Sequence, residues 1–274
     1  MGLRIYNNVE AQNAHRQLEQ TNNQVSKAME RLSSGLRINR AADDAAGLAV
    51  SEEMRTQIRG MDVASRNALD GVSMVQVADG ALAGVGDMLQ RIRDLAVQAS
   101  NGTLTDQQRS NLDAEVQSIL AEVGRVASDT DFNGIKILSG SVAMSPVTLQ
   151  IGANAGETIA FTVATMTASD LGISGLAVSS QASASAAIAS IDAAIKTVTS
   201  ARAQMGAIQN RLEQTISRLD LTQENLQAAE SRIRDADMAS EMISFTKNQI
   251  LQQSGTAMLA QANQAPQSVL QLLR

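Results

Sequence analysis

Ile191, Val198, Met205, Leu212, Leu219, Leu226 and Ile233 recur at seven-residue spacing without interruption. A heptad column of this kind keeps one side of a helix facing a partner helix. The companion column, Ile188, Ile195, Arg202, Gln209, Ile216, Gln223 and Glu230, is mixed in polarity. Helix over roughly 46 residues reaches about 70 Å at about 1.5 Å per residue. This stretch therefore reads as a long rod. Met205, Leu212, Leu219, Leu226 and Ile233 are expected to form an assembly seam along which copies stack.

The first half of the chain carries a matching column at Met54, Met61, Ala68, Val75, Leu82, Leu89 and Ala96. Gly60, Gly71, Gly80, Gly84 and Gly86 fall inside it, and each costs about 1 kcal/mol against Ala in a helix. Asp70-Gly71 and Asp79-Gly80 also resemble turns. The apolar column passes through every one of these glycines, so a helix packed closely in a bundle is expected. Proline occurs only at 146 and 266, which frees residues 1–145 from the strongest helix breaker. Tyr6, Phe132, Phe161 and Phe245 are the only aromatics. Layers of small aliphatic side chains follow, rather than a thick core.

Asn101-Gly102 marks the end of that helix, and Thr105 or Asp106 can cap the next, which runs to about Ser128. The period then shortens. GIKIL (134–138), VTLQIG (147–152) and ETIAFTV (157–163) read as short strands. SSQASASAA (179–187) is low in complexity, and it reads as a flexible entry to the last long helix or as part of that helix. At the outer ends, Val25, Met29, Leu32 and Leu36 form one apolar stripe, and Met238, Met242 and Phe245 begin another. Ile250, Leu251, Met258 and Leu259 follow farther on. Short amphipathic helices are marginal alone, so the two ends are expected to pair with each other and with neighbouring copies.

Most functional classes are poorly served by these residues. The net charge is −6 with no basic run and few aromatics, which gives nucleic acid little to bind. No apolar stretch approaches a membrane span of about 18 residues. The N-terminus lacks the apolar segment of a secretory signal, and taken alone these facts suggest a soluble cytoplasmic protein. His15 is the sole histidine and there is no cysteine, too little for a hydrolase triad or a two-histidine zinc site. Gly84-Val85-Gly86 lacks the third glycine of a dinucleotide fingerprint. In DTDFNGIKILSG (129–140), Asp129, Asp131, Asn133 and Gly134 match half of a calcium loop. Gly140 stands where the bidentate glutamate should be, so an Asn-Gly turn is the better reading. No cofactor and no catalytic residue is expected.

Two clusters remain. In QRIRDLAVQASNG (90–102), Leu95 lies one turn from Arg91. A cation beside a protruding apolar side chain makes a protein-binding patch, against the plainer reading of a solvated face. In RLSSGLRINRAADDAAG (31–47), Asp43 and Asp44 could be paired carboxylates for chemistry or a joint between helices. The joint is favoured. Gly35 fits a helix C-terminus, Leu36 to Arg40 would run between two domains, and the two acids can cap the next helix. Arg37 and Arg40 then become candidates for contacts between subunits.

LSSGLRINRAADDAAGLAVSE (32–52), LQRIRDLAVQASNGT (89–103), DFNGIKIL (131–138), RIRDADMASEMISFTKNQIL (232–251) and AMLAQANQAPQSVLQLLR (257–274) together resemble bacterial flagellin, over nearly the whole chain. The resemblance implies a mainly α fold, a long antiparallel helical bundle or coiled coil made by the paired N- and C-terminal arms, with a small β-hairpin region between. It implies an inner coiled-coil domain at 1–43 and 234–274 and a helical rod domain at 44–233. The β region falls at about 130–175, without the variable outer domains. It further implies a non-enzymatic subunit that polymerises with itself for swimming motility, with a hook–filament junction protein as the alternative. An intracellular coiled-coil scaffold is a rival of another class.

Partners implied by the resemblance are the flagellar type III export apparatus, a chaperone on residues 235–274, and filament cap and hook-junction proteins. Nucleic acid and membrane insertion are not among them. The location becomes extracellular, without a cleaved signal peptide, which overturns the cytoplasmic expectation. Some flagellins are recognised by Toll-like receptor 5 through an arginine, a leucine and a glutamate. The matching motifs place these at Arg91, Leu95 and Glu115. Ser and Thr between 139 and 185 are candidate glycosylation positions.

Overall fold

The computed structural model describes residues 8–140, 142 and 146–272, with 265–272 as backbone alone. The outermost residues of the expected inner domain (1–7, 273–274) and the candidate glycosylation positions Ser141 and Ser145 lie outside the described residues. Helices α1 (Val9–Ser34), α2 (Ala45–Ala99), α3 (Asp106–Asp129), α4 (Gln181–Arg234) and α5 (Met238–Leu272) dominate. Between α3 and α4 lie strands β1 (Asp131–Phe132), β2 (Ile135–Lys136), β3 (Val147–Gln150) and β4 (Thr158–Phe161). The architecture is mainly α, with two small antiparallel hairpins. Contacts divide the chain into two compact units, residues 1–56 with 225–274, and residues 57–224. The division falls inside α2 and α4 rather than at the breaks in helical pattern near 43 and 234. The start of α2 and the end of α4 bond to the chain between α1 and α2, and so group with the ends.

In the unit of residues 57–224, α2 and α4 run antiparallel: Asp79 pairs with Arg202 at 2.9 Å and, farther along α2, Arg93 pairs with Asp192 at 2.7 Å. The expected column of α2 is buried at Ala68, Val75, Leu82, Leu89 and Ala96. A second column completes its seam at Ala64, Gly71, Ala78, Val85, Ile92 and Ala99. On α4 the column Ile191, Val198, Met205, Leu212 and Leu219 is buried as well.

Its companion differs from the expected one. Ala187, Ala194, Ala201 and Thr215 are buried and Ile208 is half-buried, one position N-terminal to the mixed column containing Arg202 and Gln209. Small side chains on this second column let the helices approach, whereas long polar ones stay at the margin. The mixed polarity of the expected companion arose from counting on the wrong side of the seam.

Helix α3 completes the layer. Thr105 caps it, with the reciprocal Thr105–Gln108 capping box, and Val116, Leu120, Val123 and Ala127 join the same core. β1 and β2 are joined by Asn133 (φ 51°) and Gly134 (φ 80°), both left-handed. This is the two-residue turn that matches strand twist, and it accounts for the Asn-Gly pair without calcium. β3 pairs β4 in the register Val147↔Phe161 to Gln150↔Thr158, with Ile159 and Phe161 facing the core.

Two of the puzzling glycines admit this second hairpin. A Cβ on Gly71 would stand 2.3 Å from Leu149, and one on Gly60 would stand 2.8 Å from Ala153. Helix α2 thus gives up side chains where β3 and the turn after it lie on it. Gly80 and Gly84 face no such neighbour, and nothing in the structure explains them. Residues 179–187 resolve to the helical reading from Gln181 onward. Ser180 accepts the Ser183 amide at its first turn, and Ala184 and Ala187 enter the core.

In the other unit, α1 and α5 pair antiparallel. Asn8 Nδ2 donates to the Ala262 carbonyl at 2.9 Å, and Arg31 lies 3.8 Å from Glu241 near the opposite end. The facing side of α1 is again a heptad, Ala11, Leu18, Val25 and Leu32 with Ala14, Thr21 and Ala28. Met29, expected on this stripe, is 55% exposed. On α5 the facing positions are Glu241, Phe245, Asn248, Gln252, Gly255, Leu259 and Ala262. That seam is small and partly polar, and most of the large apolar side chains of α5 lie outside it.

Candidate functional site

The segment between α1 and α2 is a hydrogen-bonded knot. Gly35 (φ 72°) caps α1 in the left-handed conformation, its amide reaching the Arg31 carbonyl at 2.8 Å. The chain then pairs with the end of α4. Leu36 bridges Asp235, the Arg37 amide donates to the Arg234 carbonyl at 2.7 Å, and the Ala236 amide donates to the Gly35 carbonyl at 2.9 Å. The Arg37 guanidinium donates to the Ile233 carbonyl at 2.6 and 3.2 Å. A cation on the terminal carbonyls of a helix is favoured by the helix dipole as well as by the bonds.

Arg40 and Asn39 both donate to Glu30 at 2.8 Å, and Ile38 is buried to 2% exposure. Both arginines expected to reach neighbouring subunits therefore have partners within this chain, although Arg40 remains largely exposed. The two acids take different roles. Asp44 accepts the Gly47 amide at 2.8 Å and caps α2, as expected. Asp43 instead turns back, accepting the Arg40 and Asn39 amides at 3.1 and 3.3 Å. The Arg40 amide is the main reason its carboxyl is held below the ordinary 3.8. Glu52, on the first turns of α2, pairs with Arg234 and Arg55 at 2.7 Å each. The Arg234 bond is the larger cause of its lowered pKa. Neither acid is disposed for proton transfer: each is committed to holding backbone or arginine in place. The bonds of Glu30 to Asn39 and Arg40, and of Glu52 to Arg234, carry no local sequence signal, because those partners lie nine or more residues apart.

The second cluster sits on α2 and α3. Arg91 donates through Nε and Nη2 to one oxygen of Glu115, at 3.1 and 2.6 Å, and both side chains are substantially exposed. Leu95 does not protrude. It is 2% exposed and belongs to the core between the helices. The expected pairing of cation and protruding leucine is corrected here: one turn of α2 carries Arg91 at the rim and Leu95 beneath it.

Arg109, missed by sequence reading, is more deeply placed. Its guanidinium donates to the Ala99 and Asn101 carbonyls at 3.0 Å and to Asp106 at 2.9 Å. It thereby closes the C-terminus of α2 against the start of α3. A cation on the first turn of a helix runs against the dipole, and that misfit was the one available signal.

The expected assembly seam also changes character. Met205, Leu212 and Leu219 are buried by this chain's own core at 1%, 0% and 7% exposure, so they have no surface left for a neighbouring copy. Leu226 and Ile233 are half-buried. The paired ends carry a large share of the exposed apolar side chains, Val9 and Met29 on α1 and Met238, Met242, Ile243, Ile250, Leu251 and Met258 on α5. Val63, Leu69, Val77, Val97, Ile135 and Leu221 stand singly exposed on the other unit. Ile243 and Met258, at 71% and 65%, are the most exposed of these. Among the described residues no cluster of side chains could hold a metal ion, and no helix is long and apolar enough to cross a membrane.

A mainly α chain whose ends pair and whose middle packs three helices with two hairpins defines a protein of long helical bundles. Residues 5–143 match the bacterial flagellin N-terminal helical region, and residues 188–273 match the bacterial flagellin C-terminal helical region. A flagellin of Halalkalibacterium halodurans is 53% identical over 272 residues, covering 98% of this chain and 99% of that protein. The flagellar filament 33 kDa core protein of Treponema phagedenis is 50% identical over 284 residues, with 98% and 99% covered. The crystal structure of Bacillus cereus flagellin superposes with a TM-score of 0.51 at 29% identity, covering 56% of this chain and 88% of that one. The chain belongs to the bacterial flagellin family.

Proposed function

We propose that this chain is the structural subunit of a bacterial flagellar filament, polymerising with copies of itself outside the cell to drive swimming. One observation carries the self-assembly: the helices α1 and α5 pair through a small, partly polar seam and leave Met29, Met242, Ile243, Ile250, Leu251 and Met258 in water. Exposed apolar surface on this scale marks an interaction face. Repetition of one subunit contact about an axis generates a helical polymer. A filament core role agrees with the name of the Treponema relative, a flagellar filament core protein, which favours it over a hook-junction role. Purified subunits seeded with filament fragments should extend them into long filaments in electron micrographs. Seeds that fail to grow would overturn the reading.

The same apolar face supports the finer partners. Within residues 235–274, the exposed side chains from Met238 to Met258 are ones that an export chaperone would cover before secretion through the type III apparatus, and the filament cap and hook-junction proteins would meet the assembled ends. These partners rest on family resemblance together with that face.

Recognition by Toll-like receptor 5 is proposed to run through Arg91 and Glu115, with buried Leu95 fixing the turn that carries Arg91. The pair presents two exposed charges joined at 2.6 Å, and surface pairs of this kind contribute little to stability. Arg91→Ala should therefore leave the melting curve of the free subunit unchanged while lowering receptor activation about tenfold or more, in the range of a hot-spot truncation. A reporter-cell assay showing undiminished activation would remove the assignment.

A further inference from the structure

We propose that Met29, Met238, Met242 and Met258 form an oxidation site on the free subunit, at which a peroxide switches assembly off reversibly. The chain has 12 methionines and no cysteine, so thioethers are its only sulfur targets. Ten of the methionines are among the described residues, and these are sorted sharply. Met29, Met238, Met242 and Met258 are 46–65% exposed, and all four lie on the paired helices α1 and α5. Met74, Met166 and Met205 are sealed in the other unit at 4%, 0% and 1%, and Met54, Met61 and Met88 are half-buried. Among the described residues, the sulfur that a small polar oxidant meets first is therefore on the paired ends, where Met242 also lines a shallow groove with Ile243, Thr246, Lys247 and Ile250.

The step balances with hydrogen peroxide as the named oxidant. A sulfur lone pair attacks one peroxide oxygen, the O–O bond breaks, and an S–O bond forms. The sulfur loses two electrons and the peroxide leaves as water. A dithiol-dependent sulfoxide reductase reverses it, returning two electrons and releasing the oxygen as water while its thiols become a disulfide. The sulfoxide is a polar acceptor where a soft apolar side chain stood. A neighbouring subunit that covers it removes its water without supplying a donor, so association weakens while the unit built on the buried core is unaffected. Once the filament has formed, the same face is covered and the sulfur is protected. The switch thus acts on the subunit before assembly.

This inference rests on the assembly reading, and the experiment separates the two. Full-length subunits are treated briefly with dilute hydrogen peroxide, mapped by peptide mass spectrometry and offered to filament seeds. One added oxygen is expected at Met29, Met238, Met242 and Met258 but not at Met74, Met166 or Met205. Elongation should be slower by about tenfold or more, and the two sulfoxide reductases together, one for each sulfoxide epimer, with a dithiol should restore it. The variant Met29→Leu, Met238→Leu, Met242→Leu, Met258→Leu keeps apolar volume. It should elongate seeds and resist peroxide.

Elongation by oxidised wild-type subunits at the untreated rate would overturn the switch alone. Equal inhibition of the four-leucine variant would do so too, by placing the sensitive sulfur elsewhere. Failure of untreated wild-type subunits to elongate would instead overturn the assembly reading beneath it.

Discussion

Leu212→Ala should lower the unfolding free energy of the isolated subunit by about 2–5 kcal/mol, the range for removing a buried leucine and leaving a cavity. Leu212 is fully buried, belongs to the single core shared by α2, α3 and α4, and lies across from Gly71 beside Leu149 of the hairpin. Collapse around the missing side chain is restricted because α2 is already without a side chain at Gly71. Urea melts of dilute monomer measure the loss. The result decides what the heptad column is for. A column facing neighbouring copies would leave the monomer unchanged on truncation, within about 0.5 kcal/mol as for ordinary surface sites. A column facing inward gives the large loss. Leu226, half-buried and in the other unit, should show a smaller one.

Removal of residues 240–274 should abolish filament formation while leaving the unit of residues 57–224 folded. The buried cluster runs from Ala68 to Leu212 and, among the described residues, draws nothing from α5, so its thermal transition should keep its midpoint. Helix α1 fares differently. It loses the Ala262 carbonyl that Asn8 reaches, the Glu241 carboxylate beside Arg31, and the apolar half-seam of Phe245 and Leu259. A strongly amphipathic helix such as α1 takes most of its stability from packing its apolar face, so the truncated chain should lose circular dichroism beyond the residues deleted. Seeded growth followed by electron microscopy supplies the other half. Filaments of normal length from the truncated chain would show that the paired ends are dispensable and end the assembly account.

The joint shows how the quoted motif and its geometry complement one another. Gly35, Asp43 and Asp44 were legible as a break because glycine and aspartate have strong local preferences at helix ends. The partners of Asp43 and Arg37 were not. Arg37 was expected to reach outward, yet it caps α4 at Ile233, and Asp43 holds the loop rather than the helix. Sequence separation hides such contacts, since the bond between Arg37 and Ile233 spans 196 residues.

By itself the sequence determined the long helices, the end of α2 near Asn101-Gly102, the cap at Thr105, strands β2 to β4 and the heptad columns, but not β1. Each of these follows from local conformational energy or from a repeat that one chain carries within itself. Family membership was legible too, since long motifs survive as strings. Only the tertiary structure decided which side of a column is covered and by what. It placed Leu95 and Leu212 inside, moved the α4 companion column to Ala187, Ala194 and Ala201, and gave Gly60 and Gly71 to a hairpin. It also left Met242 and Ile243 in water. Periodicity gives a helix an apolar face, but a face is satisfied equally by its own chain or by another copy. Burial chooses between them, and burial depends on partners that no local pattern names.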